Sequence, residues 1–443
     1  MNSIENKDGA SLKAELVADF QASQARLNGK SNLPVHQLRG EAMKNFEKLG
    51  FPSIRHEEWK YSNVSNLVKQ TFDFHTKTDF NQSDLDKIAL PNLTGNVLYF
   101  INGVYSAELS QIVSPDNKLK VLPFAEALAQ QPELIEGHFA KYANYETDAF
   151  TALNTALSHD GVVVQVADNK IVEEPIILRF ITDARTANAG SQPRNLVVVG
   201  KNSQVKIAEA YRTVGEEAAF VNTVTEIVVA ESAMVDYYKV QNESDKSYHI
   251  GTTQVYQKSN SYFYAATVTI NGGFVRNNLN IVLDGEHVES HMYGLYVPNG
   301  KQHVDNHTLV DHQKPNCQSN ELYKGVLMDK STGVFNGKIF VRQDAQKTNA
   351  YQNCRNVVTS DDAIMNTKPQ LEIWADDVKC SHGTTTGKLD DEAIFYMQSR
   401  GIPKKEAIRL QLLAFAQDVV TQIKIDSIRE YIEEQILHKL EVA

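Results

Sequence analysis

The sequence predicts a mainly β chain, a long stack of short strands with helices at both ends. Three observations carry that prediction. From about Gly161 onward, short runs of β-branched and aromatic residues follow one another. Turn residues punctuate them at Asp160-Gly161, Gly200-Lys-Asn202, Asn271-Gly-Gly273, Asp284-Gly285, Asn299-Gly300 and Thr332-Gly333. Both ends of the chain, in contrast, place apolar residues at the three-to-four spacing of a helix face.

In chain order, the first region is helical and spans residues 1–95. Leu12, Leu16 and Phe20 recur every four residues, and Leu38, Ala42, Met43, Phe46 and Leu49 do so in a second segment. Pro34 suits the first turn of that second helix and Gly50 the position just past its end. A mixed lead-in, residues 96–160, starts with an apolar run at Val97–Ile101 and an Asn102-Gly103 turn, the signature of a tight hairpin. Short helices are expected near Pro123–Gln130 and Gly137–Leu157.

The β core, residues 161–388, contains runs at Val162–Val166, Ile176–Phe180, Leu196–Val199, Gln204–Ala210, Asn222–Val229, Met234–Val240, Tyr262–Ile270, Leu279–Leu283, Met292–Val297 and Val334–Val341. A sandwich or barrel fits a region this long less comfortably than a solenoid. Amides at Asn336, Gln343, Gln346, Asn349, Gln352 and Asn353 suit ladders along stacked coils, so a parallel β-helix is favoured, although no fixed period stands out. The tail, residues 389–443, returns to helix in three segments: Leu389–Met397, one opening at Pro403, and one from about Ile423 to Leu440. Their apolar residues occupy more than one stripe, so they must pack on the β body or on a partner.

The 443-residue chain carries a formal net charge of −11, which argues against a nucleic-acid partner and against adhesion to an acidic membrane. The N-terminus shows no leader pattern, and no apolar run nears the roughly 20 residues that span a bilayer. A cytoplasmic protein is expected. Cys317, Cys354 and Cys380 are too few and too scattered for a disulfide framework or a self-contained cluster site.

Two groups of residues invite a metal. His287, His291, His303, His307 and His312 are close in sequence, and His303, Asp305 and His307 would share one face of a strand. Polar residues on a β coil explain them better than a metal site, because their spacing matches no compact ligand motif. Cys380 and His382, in Asp376-Asp-Val-Lys-Cys-Ser-His-Gly383, would also share a face, where a neighbouring imidazolium would lower the thiol pKa. On chemistry alone the favoured reading is a structural cysteine and a turn histidine. Two ligands are too few for a cluster, so a metal there would need donors from another chain. Phosphate-binding and nucleophile-elbow motifs are missing. The acid pairs Glu57-Glu58, Glu173-Glu174 and Asp361-Asp362 read as solvated faces or caps.

The stretch from Lys314 to Ile402 resembles the SufB/SufD family of iron–sulfur cluster assembly proteins. The resemblance rests on Pro315-Asn-Cys317, Tyr323-Lys-Gly325, Gly333-Val-Phe335, Ala345-Gln-Lys-Thr348, Pro369-Gln-Leu-Glu-Ile373, Ala375-Asp-Asp-Val-Lys-Cys-Ser-His-Gly383 and Ala393-Ile-Phe-Tyr396 with Ser399-Arg-Gly401, together with Glu57-Glu-Trp-Lys-Tyr61. The shorter length and the His-Gly after Ser381 look like the SufD type, since the SufB type shows Cys-x-His-Glu-Ala there. Thr384, Thr385 and Thr386 depart from the commoner Ala-Thr-Val.

The resemblance implies a right-handed parallel β-helix with an N-terminal and a C-terminal helical domain, and a scaffold rather than an enzyme. It implies pairing with SufB, docking of the ABC-type ATPase SufC on the helices within Leu389 to Val442, and no tightly bound cofactor in the isolated chain. His382 and Cys380 are then the candidate ligands for iron or a nascent cluster shared with SufB. A homodimer is expected for the isolated chain, because an unpaired solenoid edge invites pairing. The alternative is a β-helix carbohydrate-active enzyme, a lyase or esterase, which would require an acid cluster in a groove.

Overall fold

Strands make up 41% of the computed structural model, which winds a β-solenoid of about 8 turns with helices at each end. It describes residues 6–25, 33–75, 78–90, 92–158 and 161–442. Met1 to Glu5, and Asp160 of the Asp160-Gly161 turn, lie outside them.

Two ten-stranded sheets face each other, and successive strands of the core alternate between them. One sheet runs through Asn96–Ile101, Ile176–Asp183, Gln204–Val214, Met234–Asn242, Tyr262–Asn271, Glu289–Tyr296, Gln318–Leu327, Thr348–Val358 and Val378–Gly387. The other runs through Val162–Val166, Arg194–Val199, Ala219–Val229, Ser247–Gln257, Phe274–Leu283, His303–His312, Thr332–Val341 and Ile364–Ile373. These strands pair in parallel, each rung advancing by roughly 30 residues, a step within the range of repeat architectures. Parallel pairing stacks like on like. Phe100, Phe180 and Tyr211 are successive ladder partners, and their rings stack 4.9 Å apart at both steps.

Each sheet starts on an antiparallel edge strand. Val104–Gln111 folds back on Asn96–Ile101, with Asn102 at φ 49° and Gly103 at φ 83°, the left-handed pair that a two-residue hairpin requires. Leu119–Pro123 runs antiparallel to Val162–Val166.

Helices cover the outer faces. Ala10–Ala25 and Pro34–Leu49 present Leu12, Leu16, Phe20, Met43 and Phe46 to a cluster that includes Phe150, Phe220 and Phe274 of the second sheet's side. At the other end of the chain, Lys404–Val420 and Asp426–Val442 lay Leu412, Ala416, Val419, Ile428, Ile432 and Ile436 on Tyr238, Val240, Tyr264 and Leu295 of the first sheet. Polar anchors edge that contact: Lys324 Nζ lies 2.6 Å from Asp418, and Tyr264 Oη donates to Gln422 Oε1 at 2.7 Å. No helix among the described residues is long and apolar enough to cross a membrane.

Where expectation and structure differ, buried polar groups explain it. The helix expected over Gly137–Leu157 is instead two, Pro132–His138 and Ala149–Leu157. Between them the buried Glu226 carboxylate accepts the backbone N–H groups of Ala140, Tyr142 and Ala143 at 2.8–2.9 Å, holding the chain irregular. Strands such as Ser247–Gln257, Gln318–Leu327 and Thr348–Val358 were not expected, because inward Thr, Gln, Asn and Glu side chains hide the apolar alternation. An amide ladder exists, but chiefly elsewhere. Gln241 Nε2 donates to Asn277 Oδ1 at 3.1 Å and Asn277 Nδ2 to Asn306 Oδ1 at 3.3 Å, all buried between the sheets. Of the amides expected, Asn336 and Gln352 are buried, whereas Gln343 and Asn353 are exposed.

Glu226 also meets Arg194 Nη2 at 2.6 Å, both side chains being almost fully enclosed. Removing one member leaves a buried charge without its partner. Glu226→Ala should therefore cost about 3–5 kcal/mol, read as a lowered denaturant midpoint, and Arg194→Met with Glu226→Leu together should cost less than Glu226→Ala alone.

Candidate functional site

The stack ends at a coil with nothing beyond it. Ile364–Ile373 and Val378–Gly387 are the terminal strands of their sheets, each hydrogen-bonded on one side only. Large apolar side chains gather there, with Ile364 55%, Trp374 49% and Tyr351 40% exposed.

Both candidate ligands sit on this last coil. In the ladder Cys380 pairs with Ala350, and His382 with Gln352. Ala350 and Gln352 are buried between the sheets, and parallel partners point to the same face, so Cys380 and His382 face the interior at its open mouth. The shared face read from their spacing is present. His382 is exposed, because no further coil covers it. Cys380 is half-buried against Ile339, Ala345, Ala350 and Leu371. Burial pushes its thiol above the ordinary value, opposed in part by the Ala350 backbone, so the expected lowering by an imidazolium is corrected. Among the described residues no three His, Cys, Asp or Glu side chains converge as a metal-holding group. The chain thus offers two donors at an open edge.

Below His382 the interior is polar. Gln352 pairs in register with Glu321, and Gln352 Nε2 donates to Glu321 Oε2 at 2.8 Å. Burial pushes the Glu321 carboxyl up to about 7, with Thr308 and Gln352 opposing. Sequence reasoning missed both residues as site neighbours. One signal was available: a glutamate and a glutamine one coil apart, behind the Cys-x-His strand.

The histidine cluster is dispersed. His287 occupies a turn at φ 57°, and His291 lies 2.7 Å from Glu289. His312 is buried beside Ser319 at 2.9 Å, and burial pushes it down to about 4. His303, Asp305 and His307 do share a face, but it lies beneath the N-terminal segment. Ser62 Oγ donates to Asp305 at 2.5 Å and lies 2.8 Å from His303 Nε2, while Arg276 Nη1 donates to Asp305 at 2.9 Å. Burial would raise the Asp305 carboxyl, yet His307 and Arg276 outweigh it and hold it below the usual range.

The Glu57-Glu58 pair is not merely solvated. Glu58 pairs with Lys338 and lies 3.5 Å from His307, Glu57 pairs with Lys368, and Trp59 lies under the Arg276 guanidinium at 4.0 Å. The Glu-Glu-Trp motif is therefore a clamp across several coils of the second sheet.

Two outcomes are expected. The folded value of Glu321 exceeds the unfolded one, so stability is lost as pH rises from the ordinary carboxylate range to about 7 and stays lower above it. Glu321→Gln should raise the unfolding free energy at alkaline pH by on the order of 3 kcal/mol, read from denaturant titrations, and change little near pH 4, where the carboxyl is protonated in both states. Cys317 and Cys354 are buried, so a maleimide should label one thiol of the native protein well before the other two, and Cys380→Ser should abolish that first labelling.

The chain matches two family models, "SufBD protein N-terminal region" over residues 10–178 and "SUF system FeS cluster assembly, SufBD core domain" over residues 180–415. It is 33% identical over 430 residues to an iron–sulfur cluster assembly SufBD family protein of Synechocystis, covering 94% of each chain. It is 26% identical to the iron–sulfur cluster assembly protein SufD of Escherichia coli, covering 89% of this chain and 90% of the relative. Its identity to the SufD of Bacillus subtilis is also 26%, covering 92% of this chain and 94% of the relative. These matches span the helical ends and the solenoid alike, and the chain belongs to the SufBD family of SUF-system iron–sulfur cluster assembly proteins, on its SufD side.

Proposed function

We propose that this chain is a non-catalytic scaffold subunit of the SUF assembly complex in the cytoplasm, completed at its open coil by a SufB paralogue. The observation that carries the proposal is the coil itself: two sheets end together, with one unpaired ladder each and apolar side chains around them. Edges of that kind are normally blunted or covered, and a second solenoid presenting the same kind of edge would satisfy both ladders at once. A homodimer through this edge is the corresponding state of the isolated chain.

His382 and Cys380, at the mouth of the interior, then offer an imidazole and a thiol toward iron or a nascent cluster, with the remaining donors supplied by SufB. The cluster is cargo here, not a resident cofactor. The C-terminal helices are the docking place for the ATPase SufC. Asp391–Ser399 leaves Phe395 72% and Tyr396 60% exposed on one short helix, an apolar pair open to a partner.

Co-expression with SufB and SufC tests the reading. Ile364→Lys with Ile373→Lys, which charge the terminal edge strand, should weaken association with SufB at least about tenfold, while the isolated chain, freed from its homodimer, keeps the far-ultraviolet circular dichroism of the parent. Phe395→Glu with Tyr396→Glu should remove SufC and spare SufB. His382→Ala should leave the complex assembled and lower its cluster content. A complex that forms equally well with the charged edge would sink the proposal.

A further inference from the structure

Behind His382 lies an arrangement that accounts for how its ring could be held. Gln352 is its ladder partner, Glu321 is the partner of Gln352, and the three form one file along the inner face of the first sheet. Gln352 is 1% exposed, and its amide reaches across the interior to the second sheet. There Gly337 makes room for it: a Cβ at Gly337 would overlap Gln352 Nε2. The amide is fixed at that nitrogen by its donation to Glu321 Oε2 at 2.8 Å.

The nitrogen and oxygen of a planar amide diverge, so an amide anchored downward through its nitrogen turns its oxygen elsewhere. Gln352 Oε1 is buried and has no hydrogen-bond partner among the described residues. A buried carbonyl without a donor is costly, and a group left so in a native interior calls for an explanation. The next residue of the file is His382, whose ring carries an N–H to give. A histidine that donates one ring N–H presents the lone pair of its other nitrogen, the form that ligates a metal.

We propose that Gln352, anchored by Glu321 and admitted by Gly337, is a positioning residue for His382: its Oε1 accepts one ring N–H and holds the imidazole in a single neutral tautomer with the other nitrogen toward the open edge. The inference rests on the metal-facing role proposed for His382, and it adds the residues that orient the ring.

The test reads the tautomer directly, without metal. Full-length protein carrying nitrogen-15 histidine is observed at about pH 8, where imidazoles are neutral, and the His382 signals are assigned by their loss in His382→Ala. The parent should show two well-separated ring-nitrogen shifts, the mark of one tautomer. Gln352→Met keeps the bulk, removes the acceptor and should draw the two shifts together. Gln352→Glu restores an acceptor and should separate them again. Gly337→Ala should also draw them together, by displacing the amide while leaving Gln352 in the sequence. If Gln352→Met does not fold, Gln352→Asn, which withdraws the amide by one methylene, replaces it with the same expectation. Shifts that stay as separated as in the parent in the folded variants overturn the proposal.

Titration of the same proteins with cobalt(II) alone addresses the other reading, with an expected weakening of about tenfold in Gln352→Met. A tautomer that responds while cobalt binding does not would uphold the positioning file and remove the metal-facing role.

Discussion

In a parallel stack every coil relies on the next to take up its outward backbone hydrogen bonds. That dependence organises this molecule. At the beginning the parallel run is broken off by antiparallel edge strands, Val104–Gln111 in one sheet and Leu119–Pro123 in the other. At the end it is left open, because Ile364–Ile373 and Val378–Gly387 have neighbours on one side only. The helices could have been spent on covering that end. Instead they lie on the outer sheet faces, where their apolar stripes meet Tyr238, Tyr264 and Leu295 on one side and Phe220 and Phe274 on the other. The uncovered parallel rung and the placement of Cys380 and His382 are thus two aspects of one construction.

The interior adds a second constraint. In the file that leads to His382 the first rungs are apolar or aromatic: Ile176, Ile207, Tyr237, Ala265 and Met292. The next rungs of the same file are Glu321 and Gln352, both buried. Polar groups inside a protein lower stability unless they are satisfied, and a stack under selection for stability alone would favour aliphatic rungs there. The two polar rungs directly beneath the exposed histidine are what a site requires, since an imidazole at a surface needs a fixed partner to hold one orientation.

Much of this was legible in the chain itself. Pro34 and Gly50 bracket a helix, Asn102-Gly103 makes a hairpin, and Val162–Val166 through Val334–Val341 are strands, because each obeys a local rule of conformation or periodicity. The spacing of Cys380 and His382 disclosed their shared face for the same reason. The strands at Ser247–Gln257 and Gln318–Leu327 escaped notice because tertiary enclosure, rather than alternation, makes their polar side chains inward-facing. The roles of Glu58 and Arg276 were out of reach for a different reason: their partners are remote in sequence, and no local pattern reports on such contacts.

Glu57 and Lys368 stand 311 residues apart in sequence, and Glu58 and Lys338 stand 280 apart. Repeat stacks ordinarily contact only adjacent units and fray unit by unit from a loose terminus. Here a segment made early in translation straps onto coils made late, so the terminal rungs are secured by the oldest part of the polypeptide. On the ribosome that strap has no buckle until synthesis is nearly over, and the acidic segment must wait unoccupied while the coils accumulate. A chain truncated before Lys338 would lose more than its final coils: its amino-terminal helices would have no purchase on the far end of the stack.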